Sequence, residues 1–366
     1  MTDKVTKKQL AQYAIARSLF KPKTLQTAID ILGYVQADPI RAPARAQDLI
    51  FRHRVKSYRI DDLEKKYPKL DVTEDMLHDH GFFPHRHLPL LYPRKLSPRW
   101  QAFVAEHKTL RRNVWNYLNE NATAHPRDLE QALGGGNREN GWGSSSSATT
   151  LMLECLHREG RARVVRRDSG IRVYSVSLPV NADQKWSSTQ RADGLIRMMV
   201  NLYAPLPLRS LTQLINMMRH YKPALDYNKR IDAMVKRDEL RREIVDGLIY
   251  VWPSVERPPQ DVSDEVRLLA PFDPIVWDRR RFEHLWGWAY RLEAYTPLAK
   301  RKLGYYALPM LWRESVIGWA NMAINNGELD VTFGYAENRP NTSTGGGFRA
   351  ALDAEIERFR QFTRRP

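Results

Sequence analysis

Residues 148–174 read ATTLMLECLHREGRARVVRRDSGIRVY, and they carry the clearest folding signals in the chain. An apolar helix with Ser147 as its N-cap ends at Gly160, where helices commonly stop. A basic run follows, and residues 168–170 (DSG) divide it into the two halves of a β-hairpin. A helix followed by a basic hairpin is typical of a winged helix, in which the hairpin is the wing.

Similar patterns precede and follow this segment, so a unit of roughly 70–90 residues occurs three times. We expect tandem winged-helix units at residues 1–98, 99–185 and 186–258. The helices expected in the first and second units cover residues 6–20, 24–32, 44–54 and 98–120, and the third unit has helices at 191–203, 211–215 and 227–237 before a hairpin at 240–252.

The pattern changes after residues 253–260, a proline-containing linker. The predicted fold is mainly α with β, in which three winged-helix units and a β-rich, barrel-like domain at residues 259–366 form a basic concave groove. The β-like runs that predict a small antiparallel sheet or barrel lie near residues 266–270, 287–295, 305–313, 315–323 and 328–334, and a helix is expected from about Gly347.

The charge of the chain favours a polyanionic partner. The formal net charge is +16 and the isoelectric point is about 9.9. Each Lys or Arg placed against a phosphate releases a counterion, so nucleic acid is the first candidate and an anionic membrane surface the second. Cys155 is the only cysteine, which excludes an intramolecular disulfide and fits a reducing compartment. With no apolar signal core and no run of 18 apolar residues, we expect a soluble cytoplasmic protein.

Candidate chemistry lies at residues 33–40 (GYVQADPI), a short extended segment between two helices. Gln36 and Asp38 are two residues apart, so their side chains point to the same face of a strand. An amide beside a carboxylate can hold one water molecule. The alternative is that both side chains lie on the solvated face of an edge strand, and spacing alone favours this alternative.

Two other segments contain residue types that are common at binding sites. Four histidines lie between His78 and His87, but their spacing matches no standard zinc motif and we expect no metal. The glycine-rich segment 134–147 lacks the Gly-Lys-Ser/Thr ending of a phosphate-binding loop, so we expect no nucleotide and no cofactor.

Three further segments resemble one protein family. Residues 269–281 (LAPFDPIVWDRRR) and 293–312 (EAYTPLAKRKLGYYALPMLW) are long and specific, and residues 36–38 with 44–49 (ARAQDL) match as well. The chain resembles the winged-helix DNA glycosylases that include the bacterial interstrand-crosslink enzymes. Its Gln36-x-Asp38 is similar to the Gln-x-Asp branch of that family. Glu74, His78 and Pro84 fit a further pattern, although Met76 stands where the family usually has Trp.

The resemblance implies a catalytic role for Gln36 and Asp38 in excising N7-alkylated purines, including crosslinked ones, from double-stranded DNA. It also implies a monomeric, metal-free, monofunctional enzyme of the bacterial nucleoid. A non-catalytic winged-helix regulator or architectural protein is the alternative, and RNA binding stays open. The candidate DNA-binding residues are Arg41, Arg45, Arg52, Arg54, His78, Arg163, Arg166, Arg167, Lys300, Arg301 and Lys302. Tyr305 and Tyr306 are expected in the core more than against bases.

Overall fold

The computed structural model describes residues 4–134, 137–139, 145–177, 186–256, 263–337, 339 and 347–364. The chain divides into two compact units. The first unit comprises Met1–Leu63, Ile196–Leu214 and Asp226–Pro366, and the second unit comprises Glu64–Leu195 and Ile215–Leu225.

Helices and strands both contribute to this architecture. The α-helices are α1 (Lys7–Ser18), α2 (Leu25–Leu32), α3 (Ala46–Phe51), α4 (Asp62–Lys66), α5 (Leu88–Leu91), α6 (Pro98–Glu106), α7 (Lys108–Glu120), α8 (Pro126–Leu133), α9 (Ala148–Arg158), α10 (Ser188–Tyr203), α11 (Leu208–Met217), α12 (Tyr227–Lys236), α13 (Pro274–Trp277), α14 (Arg279–Trp286) and α15 (Phe348–Thr363). Short 3₁₀ turns lie at Tyr67–Lys69, His85–His87 and Leu298–Lys300.

The strands are short in the N-terminal part of the chain and longest near its C-terminal end. They are β1 (Val35–Gln36), β2 (Val72–Met76), β3 (His80–Pro84), β4 (Asn137–Glu139), β5 (Ser145–Ser147), β6 (Ala162–Asp168), β7 (Ile171–Val176), β8 (Leu206–Pro207), β9 (Leu240–Val245), β10 (Leu248–Pro253), β11 (Val266–Leu268), β12 (Leu308–Trp312), β13 (Ser315–Asn325) and β14 (Glu328–Tyr335).

The first unit is built on an antiparallel sheet of order β11-β12-β13-β14. Its core brings Ile15 of α1 together with Leu269, Ile275, Phe282 and Leu311. Full burial of each such side chain stabilises the fold by about 1.5–3 kcal/mol. The N-terminal helix is therefore packed against residues from the C-terminal third of the sequence.

A smaller sheet in the same unit has the order β8-β10-β9, in which β8 lies between α10 and α11 and the other two strands follow α12. Strands β9 and β10 form a hairpin whose turn has Asp246 and Gly247 at positive φ. Asp and Gly tolerate this left-handed backbone better than other residues, and a turn of this kind matches the right-handed twist of the two strands.

The second unit contains α7, α8 and α9 followed by the hairpin of β6 and β7, with its turn at Asp168–Ile171. Ala124 bridges antiparallel to Tyr174 and so adds a third short segment beside the hairpin. Leu129, Met152 and Val164 lie in the core shared by these helices and the hairpin. Strands β2 and β3 also pair antiparallel within this unit.

Most predicted elements are present, with two exceptions. The helix expected at residues 98–120 is two helices, because the backbone leaves the helical region at His107 between α6 and α7. The strand expected at 287–295 is wrong, since Gly287 ends α14 in the left-handed conformation and an irregular segment follows. Among the described strands the C-terminal sheet has an open order, so these strands do not close into a barrel.

The predicted four-domain division differs from the two compact units, since residues 1–98 and 186–258 each contain parts of both units, and it stays a prediction. Parts of segments 134–147 and 253–260 lie outside the described residues. Within the described parts of the chain, every helix falls short of the length and hydrophobicity that a membrane span requires.

Candidate active site

Gln36 and Asp38 follow directly after α2, which begins at the N-cap Thr24 and ends at Gly33. Gly33 has φ +71°, a left-handed conformation that glycine adopts without strain and that redirects the chain into β1. Each of the two side chains is only 6% exposed. The alternative of a solvated edge-strand face is therefore wrong, because both polar groups are buried.

Gln36 is oriented by a tryptophan that is distant in sequence but belongs to the same unit. The indole N–H of Trp277 donates a hydrogen bond of 3.1 Å to Oε1 of Gln36. The Trp277 ring stacks on Tyr203 with centroids 4.5 Å apart and an interplanar angle of 18°. Because an amide oxygen and an amide nitrogen lie on opposite branches of the side chain, fixing the oxygen also fixes the direction of the N–H₂ donors.

Asp38 is fixed through both its backbone and its carboxylate. Its backbone N–H donates to Oε1 of the buried Gln47 at 3.1 Å, and its Oδ1 accepts from the backbone N–H of Ile40 at 2.8 Å. A carboxylate that bonds the backbone two residues later forms an Asx turn, a local structure that restricts the side chain. The carboxylate is thus preorganised rather than mobile.

A tyrosine hydroxyl lies in the same region. Tyr306 is 1% exposed, and no hydrogen-bond partner for its hydroxyl is found among the described residues. Burial raises the pKa of Tyr306 well above 10, and the nearby negative charge of Asp38 raises it further. Tyr306 is therefore a protonated hydroxyl, a hydrogen-bond donor, in the electrostatic neighbourhood of Asp38.

Tyr306 also lines a cleft of about 650 Å³, whose lining residues do not include Gln36 or Asp38. Arg41, Ala42 and Pro43, which follow Asp38 by three to five residues, line this cleft together with Tyr305 and Tyr306. A volume of this size lies within the range of small-molecule sites. The expectation that both tyrosines belong to the core holds for Tyr306, whereas Tyr305 is 45% exposed at the cleft.

Residues 44–49 contribute buried hydrogen bonds next to the site. Asp48 is buried and accepts hydrogen bonds from the Tyr58 hydroxyl at 2.8 Å and from the Asp61 backbone N–H at 3.1 Å. Burial raises the pKa of Asp48 to about 6, since these hydrogen bonds and nearby Arg45 offset only part of the desolvation. Asp48 and Gln47 are adjacent on α3, so this buried network also holds the residue that bonds Asp38.

The comparisons with known proteins agree with one another. The family model "DNA glycosylase AlkZ-like" matches residues 29–362. The chain belongs to this family. The DNA glycosylase AlkZ of Streptomyces sahachiroi has a similar fold, with a TM-score of 0.62 and 16% sequence identity over 98% of this chain and 97% of that chain. The protein is thus a DNA glycosylase with a role in DNA repair, and the alternative of a non-catalytic winged-helix regulator is not supported.

Two of the expected DNA-binding arginines of this glycosylase are core residues. The Arg52 guanidinium is paired with Glu355 and lies 3.6 Å from the centroid of the Phe359 ring. Arg54 is fully buried and pairs with Asp273 at 2.8 Å. Buried side chains of this kind cannot reach a phosphate, so we leave both out of the DNA surface.

Arg41 and Arg45 share the acceptor Asp61. Their guanidinium groups lie 3.3 Å and 3.0 Å from Oδ1 of Asp61. The Arg41 side chain is half exposed, whereas that of Arg45 is nearly buried. Of these two candidates, only Arg41 presents substantial surface to an incoming ligand.

The basic hairpin β6–β7 of the second unit presents its arginines unequally. Arg163 is exposed, and Arg166 is partly exposed and paired with Asp168 at 3.0 Å. Arg167 instead donates to the fully buried Glu74, with its Nε at 3.0 Å from Oε2. Arg163 and Arg166 remain candidates for DNA contact, whereas Arg167 has a structural role here.

Glu74 also binds Arg172 and His80, at 3.1 Å and 2.8 Å. Burial alone would raise the pKa of Glu74, but hydrogen bonds from His80 and Arg167 hold it well below its ordinary value. His78, four residues after Glu74, is buried, and burial lowers its pKa to about 3. A neutral, buried His78 is a poor phosphate contact.

The third basic candidate cluster lies on the segment Glu293–Tyr305, which we call the basic loop. Lys300 and Lys302 are exposed, and Arg301 is partly exposed with its Nε donating to the Thr296 carbonyl at 2.7 Å.

Among the described residues no group of three or more His, Cys, Asp or Glu is placed to hold a metal ion.

Two residues that position the site, Gln47 and Trp277, were not identified individually from the sequence, and Tyr306 was expected only as a core residue. Each lies inside a segment that carried the family resemblance. Membership of those segments was the available signal. Trp277 lies 241 residues from Gln36 and Gln47 lies 9 residues from Asp38, so neither contact follows from the periodicity of a single helix or strand.

Proposed function

We propose that this glycosylase hydrolyses the N-glycosidic bond of N7-alkylated purines in double-stranded DNA, including purines in interstrand crosslinks. The observation that carries the proposal is the buried pair of Gln36 and Asp38, held by Trp277 and Gln47 at hydrogen-bond distances of 3.1 Å each. A fixed carboxylate beside a fixed amide supports delivery of one water molecule to a sugar carbon.

The substrate chemistry explains why so few groups suffice. Alkylation at N7 gives the purine a positive charge, so the base is a good leaving group and needs little acid catalysis. When the bond between C1′ and N9 breaks, its electron pair moves to N9 and neutralises that charge. The sugar becomes oxocarbenium-like, and the oxygen of water forms the new bond to C1′.

Asp38 serves two roles in this scheme. Its negative charge stabilises the cationic sugar, and the carboxylate accepts the proton that the attacking water loses. Gln36 orients the water through its amide group, whose direction the hydrogen bond from Trp277 fixes. The reaction needs no covalent enzyme intermediate, which is why we propose a monofunctional glycosylase without a cofactor.

The partner that we propose is duplex DNA bound by a monomer in a basic concave groove. The proposal retains the three winged-helix units at 1–98, 99–185 and 186–258 and a C-terminal β-rich domain at 259–366. The helix and hairpin order of α7–α9 with β6–β7, and of α10–α12 with β9–β10, supports two of these units. The candidate phosphate contacts that retain exposed surface are Arg41, Arg163, Arg166, Lys300, Arg301 and Lys302.

The test is base release from duplex oligonucleotides that carry one 7-methylguanine or one nitrogen-mustard crosslink. We expect Asp38→Asn and Gln36→Ala each to slow single-turnover release by about 10²–10⁴-fold, the usual contribution of a positioned catalytic group. Asp353→Asn on the exposed face of α15 is the matched control for the carboxylate. Rates of both site variants equal to that of the unmodified enzyme would disprove the assignment.

A further inference from the structure

The basic loop exposes two large apolar side chains on the same unit as the active site. Leu298 is 79% exposed and Tyr295 is 80% exposed. Both lie within a few residues of the exposed amines of Lys300 and Lys302. Single exposed apolar residues are ordinary on protein surfaces. Here two of them lie on one short loop beside several cations.

The loop is held in place by its own hydrogen bonds. One carboxylate oxygen of Glu293 accepts the backbone N–H groups of Lys302, Leu303 and Gly304 at 2.8, 2.7 and 3.2 Å. Arg301 lies 5.0 Å from the centroid of the Tyr305 ring. Leu298 is therefore exposed on a loop whose conformation is held by hydrogen bonds.

The same loop ends at the cleft that Tyr306 lines. Tyr305, its last residue, lines this cleft together with Arg41 and Pro43. Gly304 allows the end of the loop to pack closely against Asn321. Its φ is +109°, and a Cβ there would lie 2.5 Å from the Asn321 side chain. Because Arg41 follows Asp38 by three residues, a DNA strand whose sugar reaches Asp38 would pass close to this cleft and to the loop that ends there.

We propose that Leu298 is a wedge that inserts into the base stack next to the lesion, while Lys300 and Lys302 hold the flanking phosphates. This inference rests on the proposed function. DNA-bending proteins commonly insert a leucine or similar side chain between base steps, at an unstacking cost of a few kcal/mol per step. The combination of one aliphatic tip and adjacent amines fits DNA, whose bases are apolar on their faces and whose backbone is anionic.

A wedge would serve the proposed reaction in a specific way. A crosslinked purine cannot leave the helix alone, because it drags the opposite strand with it. Local unstacking beside the lesion exposes C1′ without complete extrusion of the base. Filling the opened step with Leu298 would stabilise that distorted state.

The first measurement compares Leu298→Ala with the unmodified enzyme on two substrates in single-turnover assays. One duplex has 7-methylguanine paired with cytosine, and the other has the same lesion inside a small bubble. We expect about 10- to 100-fold slower release from the paired duplex, the size of a lost stacking contact, and little change on the bubble, where unstacking is already complete. Leu298→Phe should restore the rate on the paired duplex.

Val255→Ala is the matched control, because Val255 is an 89% exposed aliphatic residue of the same unit outside the basic loop. Equal loss on both substrates, or no loss on the paired duplex, would overturn the wedge. Loss of binding to anionic phosphatidylserine vesicles with unchanged DNA behaviour would assign Leu298 to a membrane surface instead, and would also overturn it.

A second measurement separates the wedge from the catalytic proposal. In an Asp38→Asn background, 2-aminopurine placed beside the lesion should brighten when the protein binds and unstacks it, and adding Leu298→Ala should abolish the increase. If the unmodified enzyme releases no base, the proposed function fails, yet the fluorescence still decides the wedge. If release occurs and Leu298→Ala changes neither signal, only the wedge fails.

Discussion

The indole N–H of Trp277 donates to the amide oxygen of Gln36 across a sequence separation of 241 residues. The bond joins the family segment 269–281 to the family segment 36–38 within one compact unit. A buried ion pair also holds the segment 269–281 in this unit, because its Asp273 binds Arg54. The separate segments of the family resemblance are thus parts of a single site.

Replacing Trp277 by Phe should keep the stacking on Tyr203 and remove only the indole donor. Without that bond the Gln36 amide is held less firmly, so we expect single-turnover release to slow by about 5- to 20-fold, the equivalent of roughly 1–2 kcal/mol. Trp286→Phe is the control, because its indole N–H bonds the Glu314 carbonyl at 2.8 Å. Equal losses in both variants would mean that the effect is general destabilisation.

Tyr306→Phe removes a hydroxyl for which no hydrogen-bond partner is found among the described residues. Because no such bond is lost, we expect the free energy of unfolding to stay the same or to rise slightly, whereas base release should fall if the hydroxyl bonds the substrate or the water. Tyr290→Phe gives the opposite pattern, since its hydroxyl donates to the Ala307 carbonyl at 2.8 Å and its loss should cost about 1 kcal/mol. Urea unfolding and single-turnover release, measured together, distinguish the two patterns. An unchanged rate for Tyr306→Phe would exclude the hydroxyl from the reaction.

Asp48 should make the stability of the protein depend on pH in a defined direction. Its pKa is about 6 in the folded protein, against an ordinary value of 3.8. The folded state therefore binds more protons than the unfolded state between these values, and stability falls as pH rises from about 4 to about 6. A shift of about two units corresponds to about 3 kcal/mol at most.

Asp48→Asn removes this titration while its side-chain oxygen can still accept from Tyr58. We expect the variant to gain stability relative to the unmodified protein as pH increases from 4 to 7, measured by urea unfolding across that range. Asp353→Asn, on an exposed residue, should show no such trend. A difference between variant and unmodified protein that is flat with pH would contradict the raised pKa.

Arg54→Met should destabilise the protein by about 3–5 kcal/mol, because it leaves the Asp273 carboxylate buried without its cation. The double variant with Asp273→Asn should recover part of that loss. Arg163→Ala should behave differently, with normal stability and a slope of log affinity against log salt that is smaller by about 1. Normal stability of Arg54→Met with a reduced salt slope would return Arg54 to the DNA surface.

The sequence was sufficient to identify the candidate catalytic residues but not the residues that surround them. Gln36 and Asp38 were identified through family resemblance, since their spacing alone favoured a solvated strand. The helix with its basic hairpin at 148–174 was predictable from local signals, because caps and turn residues act over a few positions.

The roles of the arginines could not be predicted in this way. Arg52 and Arg54 lie in a basic segment that reads as a phosphate surface, yet their carboxylate partners Glu355 and Asp273 lie 303 and 219 residues away. Whether an arginine is solvated or buried depends on such a distant partner. Charge patterning along the chain therefore does not distinguish solvent-exposed arginines from buried ones.

The order in which the protein can fold follows from the composition of the first unit. Its N-terminal segment carries Gln36, whose hydrogen-bond partner Trp277 lies 241 residues later in the chain. A ribosome synthesises most of the second unit in between, so that unit can fold before Trp277 has been made. The bond that orients Gln36 can then form only after the segment with Trp277 has left the exit tunnel, which places completion of the site late in synthesis.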